Sequence, residues 1–369
     1  MRALFYVGEQ QWDGCARAFV TAARGLAARG HQVTVVAPGG SAAARRAESL
    51  GVDTVPADPD ATAAGDAWGL RRILQERFVE VAFVHTDREQ LVVSSAMRLA
   101  ERGAVIRRVP AFLTPAFLRS GRLALRIASA GLLFTTPEEM TQAIASPEIA
   151  ALPLPPMIAP LGVDATIYDA LRPVARGTLN VPPQSLLIVC AYDPGARLRL
   201  ATAMRTLALL LPRHPDIHLA VLGPGSLDDD LRMHAAALGV SGSVSFLGQR
   251  TDDLSVLRAA DAGWVVASGD DGAFAFLDLM AMRIPVLADR SAISQHYVAD
   301  GISGLLLSPG APSHTAAAVA PFVVHEDFRT AMGNAARTRV QRDFSESEMV
   351  DGFERAGAAA ADRTRWATR

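Results

Sequence analysis

Two rhythms of apolar residues run along this chain. Short, mostly apolar runs, RALFYV at 2–7, QVTVVA at 32–37, VEVAFVH at 79–85, LLIVC at 186–190 and GWVVA at 263–267, read as buried strands. Between them apolar residues recur at helical spacing, as with Phe19, Ala22 and Leu26 in a helix expected over 15–29 and closed by Gly30. The same reading predicts helices over 41–50, 68–76, 91–102, 137–145, 199–211, 227–238 and 254–260. It predicts further strands at 53–55, 132–135, 218–223, 244–248 and 286–288. Buried strands alternating with helices define an α/β protein built on parallel sheets.

One stretch breaks the rhythm. Prolines at 147, 153, 155, 156, 160, 173, 182 and 183 leave no room for long regular elements and mark a linker. At about 150 residues per domain the 369-residue chain suggests two domains. The expected division is a first domain over 1–160, a hinge over 161–184, a second domain over 185–344 and a last helix within 345–369.

Candidate chemistry gathers at strand ends. Residues 263–289 read as strand, acidic turn (Ser268 to Gly272), helix (Phe274 to Met282, stopped before Pro285) and strand, a βαβ unit. Ligands of such sheets sit at the carboxyl ends of strands, where helix starts attract anions. Asp270 is expected in the loop and Asp278 about a turn into the helix; the same residues also suit an ordinary crossover whose aspartates cap the helix. His85, Thr86 and Asp87 fall at another strand's carboxyl end. Asp228-Asp229-Asp230 matches a metal-binding D-x-D literally, but acids in a first helical turn complement the dipole, and no metal site is predicted.

Composition narrows the classes. The net charge of −2 argues against a nucleic-acid binder. The chain has no lysine, so all 36 basic residues are arginine, which excludes Schiff-base catalysis, lysine-held pyridoxal phosphate and a Walker-type loop. The only cysteines, Cys15 and Cys190, lie far apart and fit a reducing compartment. No apolar run approaches the ~20 residues of a membrane span, and MRALFYVGEQ does not read as a signal peptide, so a cytoplasmic protein is expected. From Arg102 to Pro137 there is no acidic residue but there are six arginines: Arg102, Arg107, Arg108, Arg119, Arg122 and Arg126. The last three share one helical face, with Phe112, Phe117 and Leu118 nearby. Such a face suits an anionic membrane surface, an acidic acceptor or plain solvent.

The stretch SGDDGAFAFLDLMAMRIPVLAD resembles the donor-sugar motif of the family 4 retaining glycosyltransferases, roughly E-G-F-G-L-x-x-L-E-A-M-A-x-G-x-P-V-V. Asp270 and Asp278 stand at the two glutamate positions, and Gly272-Ala273 replaces Phe-Gly. Other pieces are similar to the family in order: Arg29 to Val36, the hinge-like Ile158 to Asp164, VSFLG at 244–248 and GLLLSPG at 304–310. Asp13-Gly14 stands where the family often has two glycines. The phosphate-binding Arg is replaced by Ala191 or Tyr192, and Arg197 is the best stand-in for the family's Lys.

The resemblance implies the glycosyltransferase B fold, two Rossmann-like domains facing a cleft, with the last helix crossing back to the first domain. It implies a metal-independent, retaining transfer with no cofactor beyond the co-substrate, a UDP- or GDP-type nucleotide sugar. The acceptor, a glycan, a lipid-linked molecule or a small molecule, stays open. Implied roles are Arg197 on the phosphates, Asp270 on sugar hydroxyls and Asp278 on the ribose. Gly272, Ala273 and Phe274 would make backbone contacts, and Gly14, Gly223 and Gly248 close backbone approaches. His85 and Asp13 belong to the acceptor side, His85 with Asp270 and Arg197 as the catalytic set. Some relatives meet membranes through the region matching 102–137, which implies peripheral contact with the inner face of a membrane. The altered motif leaves a rival, a catalytically degenerate protein of this fold acting as a binding or partner subunit. An epimerase of the same fold carries no specific signature here.

Overall fold

The computed structural model describes residues 1–58, 60–111, 131–145, 147–150 and 152–367. The chain forms two compact units, Met1–Leu161 with Glu346–Arg369, and Gly162–Ser345. In the first unit seven strands lie in the order β3-β2-β1-β4-β5-β6-β7. They are β1 (Arg2–Tyr6), β2 (Gln32–Pro38), β3 (Asp53–Ala57), β4 (Val81–Val84), β5 (Ala104–Arg108), β6 (Gly131–Phe134) and β7 (Met157–Ile158). Every pairing is parallel, with Leu4 opposite Thr34 on one side and Ala82 on the other. In the second unit six strands repeat the arrangement as β10-β9-β8-β11-β12-β13. They are β8 (Leu186–Ala191), β9 (Ile217–Leu222), β10 (Val244–Gly248), β11 (Ala262–Val265), β12 (Val286–Asp289) and β13 (Gly304–Leu307). In both sheets the order of strand addition therefore reverses between the first and fourth strands, the Rossmann order with its switch point.

Valine, leucine and isoleucine on both faces of these strands meet helices packed on each side. In the first unit Phe5 of β1 stacks on Phe83 of β4 at 4.8 Å, and Phe353 of the last helix, Glu346–Ala367, packs against both. His31 Nε2 lies 2.7 Å from the Glu354 carboxylate of that helix. In the second unit Trp264, Leu287 and Phe322 are buried in one apolar cluster.

Three expectations need correction. The basic stretch from Arg102 contains an inner strand, β5, where no strand is predicted; Ile106 pairs with Phe83 and with Gly131. Its two arginines are 1% exposed and do not form a solvated or membrane-facing surface. They are buried because they are partnered: Arg107 bonds the Asp87 and Gln90 side chains, and Arg108 approaches Cys15 Sγ at 3.7 Å and Thr135 Oγ1 at 3.4 Å. Arg119, Arg122 and Arg126, with Phe112, Phe117 and Leu118, lie outside the described residues. Second, the helix expected from Phe274 starts at Gly269 and runs to Ala281. Third, Asp270 is accordingly in the helix's first turn and not in a loop, and Asp278 is more than two turns in, not one. Among the described residues no helix is long and apolar enough to cross a membrane.

Candidate functional site

In the second unit the loops after β8 and β11 flank the switch point. The Asp193 carboxylate, just past β8, accepts from Ser268 N at 2.6 Å and Ser268 Oγ at 3.0 Å, just past β11. Val266 N and Ala267 N both donate to Ala191 O at 3.0 Å. Arg199, in the first turn of the helix Arg197–Leu210, reaches across to donate from Nε to Val266 O at 2.8 Å. Burial holds the Asp289 carboxyl, at the end of β12, above the usual carboxylate range, against the opposing pull of Arg199. Two helix starts, Arg197 and Gly269, and one half-buried guanidinium thus meet at the place where a parallel sheet binds ligands. Sequence reasoning missed Asp193, Arg199 and Ser268.

Gly223 follows β9 at φ +138°, and a Cβ there would stand 2.0 Å from Tyr192 O, so only glycine lets the two loops touch. Its N–H donates to Gly248 O at 3.0 Å, and Gly248 N donates to Ser226 Oγ at 2.9 Å. Both backbone groups of Gly248 are thereby engaged within the protein. A groove of about 560 Å³ lies at the opposite, amino-terminal end of this sheet, lined in part by Arg176, His214, Asp261 and Arg329. The Rossmann order puts ligand chemistry at the carboxyl ends, so the switch point is the candidate and that groove is not.

The structure redistributes the residues named from sequence. Arg197 is 47% exposed on its side chain and pairs with both Asp228 and Asp230 at 3.0 Å. Asp228 also caps the following helix by accepting from Asp230 N. Gly272 N donates to Ser268 O at 3.0 Å inside the helix, and Ala273 and Phe274 are interior helical residues. Backbone contacts to phosphate from these three conflict with their use in the helix ladder; the positive end of that dipole lies at Ser268–Gly269. Gly272 is explained by packing, since a Cβ would stand 2.4 Å from Ala267 O. Asp270 and Asp278 are only 5% and 4% exposed. The Tyr168 hydroxyl, from the 3₁₀ turn Ala165–Ala170, donates to Asp278. Neighbouring Asp169 accepts from Arg337 at 2.8 Å. Asp278 anchors this turn, and both aspartates are buried.

The first unit has its own switch point, after β1 and β4. Glu89, 2% exposed, spans it: Oε1 accepts from Gly8 N at 2.7 Å, and Oε2 from His85 N at 2.9 Å and Thr86 N at 3.2 Å. His85 Nδ1 also lies 2.9 Å from Oε2. That approach is not a hydrogen bond, so the contact is an ion pair when the imidazole is protonated. Burial lowers the His85 pKa, but Glu89, with help from Asp13, more than reverses this and leaves it above the ordinary imidazole value. Burial raises Glu89, and His85 with the Gly8 and His85 amides brings it below the ordinary carboxylate value. Asp13 caps the helix Gly14–Ala28 by accepting from Ala16 N at 2.7 Å, which makes Gly14 the buried first residue of that helix. Among the described residues no group of acidic, histidine and cysteine side chains has the grouping of a metal site.

The fold and this pair of switch points define a glycosyltransferase B architecture. Residues 197–339 match the family described as glycosyl transferases group 1. The chain is 30% identical over 148 residues to the lipopolysaccharide core biosynthesis glycosyltransferase LpsE of Rhizobium meliloti, 40% of this chain and 44% of that one. It is 35% identical over 142 residues to a D-inositol 3-phosphate glycosyltransferase of Corynebacterium jeikeium, 36% of this chain and 34% of that one. The chain thus spans less than half the length of these curated relatives. Among solved structures it is similar to Anabaena HepE in complex with UDP-glucose, at TM-score 0.81 and 14% identity over 97% of this chain and 100% of that one. It is also similar to WaaG, a glycosyltransferase involved in lipopolysaccharide biosynthesis, at TM-score 0.62 and 18% identity over 97% and 99%.

Proposed function

We propose that this protein is a retaining glycosyltransferase, moving a sugar from a UDP- or GDP-type nucleotide sugar to a hydroxyl of its acceptor. One observation carries the reading: the segment matching the glycosyl transferases group 1 family contains Arg199, Ser268 and both helix starts of the second switch point. The diphosphate would lie against those helix starts, with Arg199 supplying the cation that sequence comparison looks for at Ala191 or Tyr192, and Arg197 the second. Asp270 would hold sugar hydroxyls. No metal enters this scheme, because helix starts and guanidinium groups stabilise the departing diphosphate. His85 would serve the acceptor. The acceptors named for the relatives include an inositol phosphate, and those names include lipopolysaccharide core synthesis, so a polyol or glycan hydroxyl is the class to try first.

Calorimetry with UDP and GDP, followed by hydrolysis of UDP-glucose with the anomer read by NMR, tests this. Saturable nucleotide binding and release of the α-anomer are expected. Absence of both nucleotide affinities defeats the reading. A second reading, a binding subunit of the same fold, is favoured by the pairing of Arg197 with Asp228 and Asp230 and by the tie between Asp278 and Tyr168. Asp270→Asn separates the two: turnover falls while nucleotide affinity holds for an enzyme, and there is no turnover to lose in a subunit.

A further inference from the structure

We propose that Glu89 is a positioning residue, fixing the His85 ring and the Gly8 backbone as one piece so that His85 presents an N–H donor, and not a base, to a substrate oxygen. The inference rests on the glycosyltransferase reading for its substrate and on the first unit's geometry for everything else. Thr86 and Glu89 form a capping box at the start of the helix Asp87–Ala100, each side chain accepting from the other's backbone N–H. A capping box requires only that exchange. Here the same carboxylate also takes Gly8 N from the loop after β1 and His85 N from the end of β4, and stands 2.9 Å from Nδ1 of the His85 ring. The two loops that border a Rossmann switch point are therefore joined through one buried side chain.

The ring has little freedom. Phe19 packs edge-on to it, centroids 5.4 Å apart and planes at 89°. The charged groups that act on it are Glu89 from its own following helix, Asp13 at the start of the helix Gly14–Ala28, and Arg108 from β5, which opposes the other two. With a buried carboxylate against Nδ1, the charged imidazole persists to higher pH than in a free histidine, and both ring nitrogens of that form are donors. Nε2 is then an N–H at the carboxyl end of β4. A hydrogen bond from it to a hydroxyl or phosphate oxygen orients and polarises the substrate without any proton changing hands.

The test is Glu89→Gln in the full chain. Glutamine keeps the length and the carbonyl acceptor but removes the charge. Expected results are a thermal transition that stays cooperative and a His85 titration, followed by NMR, whose midpoint moves to lower pH, to at least tenfold higher proton concentration. The turnover number for UDP-glucose hydrolysis should fall tenfold or more at neutral pH with KM changed less than twofold, and should recover as pH is lowered. An unmoved His85 titration overturns the proposal, as does a rate loss that acid does not restore, because a merely structural glutamate predicts that. If UDP fails to bind, the glycosyltransferase reading fails by itself, and the His85 titration still decides whether Glu89 sets the state of that ring.

Discussion

The two switch points solve one problem in opposite ways. In each sheet the loop after the first strand must be held beside the loop after the fourth. In the first unit the tie is a glutamate on the helix after the fourth strand, 2% exposed and set against His85 and the Gly8 N–H. In the second it is Asp193, on the loop after the first strand, half-buried and bonded to the Ser268 N–H and hydroxyl. A buried charge needs its partners to stay folded, whereas an exposed one has water as a substitute. The first site is therefore built into the stability of its unit. The second is built from helix starts and side chains that water can replace, which suits a place where a charged ligand comes and goes.

The largest expected effect is at the buried tie. Glu89→Ala leaves Gly8 N, His85 N and Thr86 N without their acceptor and His85 without its counter-charge. Breaking a buried pair from one side costs about 3–5 kcal/mol. Urea unfolding should show a loss of this size; a loss below about 1 kcal/mol would erase the contrast.

Next comes Asp278. Tyr168→Phe removes a hydrogen bond to a buried carboxylate, a loss of about 1.5–3 kcal/mol. Combined with Asp278→Asn, the double-mutant cycle should give a coupling of about 0.5–3 kcal/mol. A coupling near zero, with UDP affinity falling for Asp278→Asn alone, would return Asp278 to the ribose.

These two cases show what could be read in advance. Strands such as GWVVA and LLIVC were legible because burial on both faces leaves an unbroken apolar run. β5 was not, since AVIRR ends in two charges that look like surface until Asp87 and Gln90 are seen beside Arg107. The Gly269 helix start was hidden by its acidic, glycine-containing first turn, which reads equally as loop. Of the candidate site, His85 and Asp270 could be picked out by standing near strand ends. Glu89 carried a local signal, the T-x-x-E spacing of a capping box from Thr86. Asp193 carried none: its partner Ser268 is 75 residues away, and only the strand order brings them together.

The third prediction concerns pH. His85 titrates above its ordinary value of 6.5 in the folded protein, so its contribution is full below about 6.5 and is lost as pH rises through the raised folded value. Glu89 titrates below its ordinary 4.5, so its contribution is full above about 4.5 and is lost as pH falls through the lowered folded value. Their joint contribution is greatest between about pH 4.5 and 6.5. Unfolding free energies of the parent and Glu89→Gln across pH 4 to 8 should differ most in that window. A difference that is flat with pH would mean that the pair is not coupled.

The smallest stability effect is expected at the half-buried tie, and it sharpens the comparison most. Asp193→Ala deletes two hydrogen bonds, to Ser268 N at 2.6 Å and Ser268 Oγ at 3.0 Å. Water can reach both donors, so the folded state should lose no more than about 1 kcal/mol. The functional effect should exceed that. Ser268 is the cap position of the helix Gly269–Ala281, and Gly269 sits at φ +59°, so the loop between β11 and the helix is held in one shape partly by Asp193. Loosening it means that a bound diphosphate must order the loop itself, which subtracts from affinity. A cost of about 1.4 kcal/mol would weaken UDP binding tenfold. The expected signature is thus a nearly unchanged urea midpoint with UDP affinity reduced several-fold, the reverse of Glu89→Ala, where stability falls first. If Asp193→Ala unfolds as readily as Glu89→Ala, burial is not what distinguishes the two ties. If its UDP affinity matches the parent's, the Ser268 loop is not part of the nucleotide site.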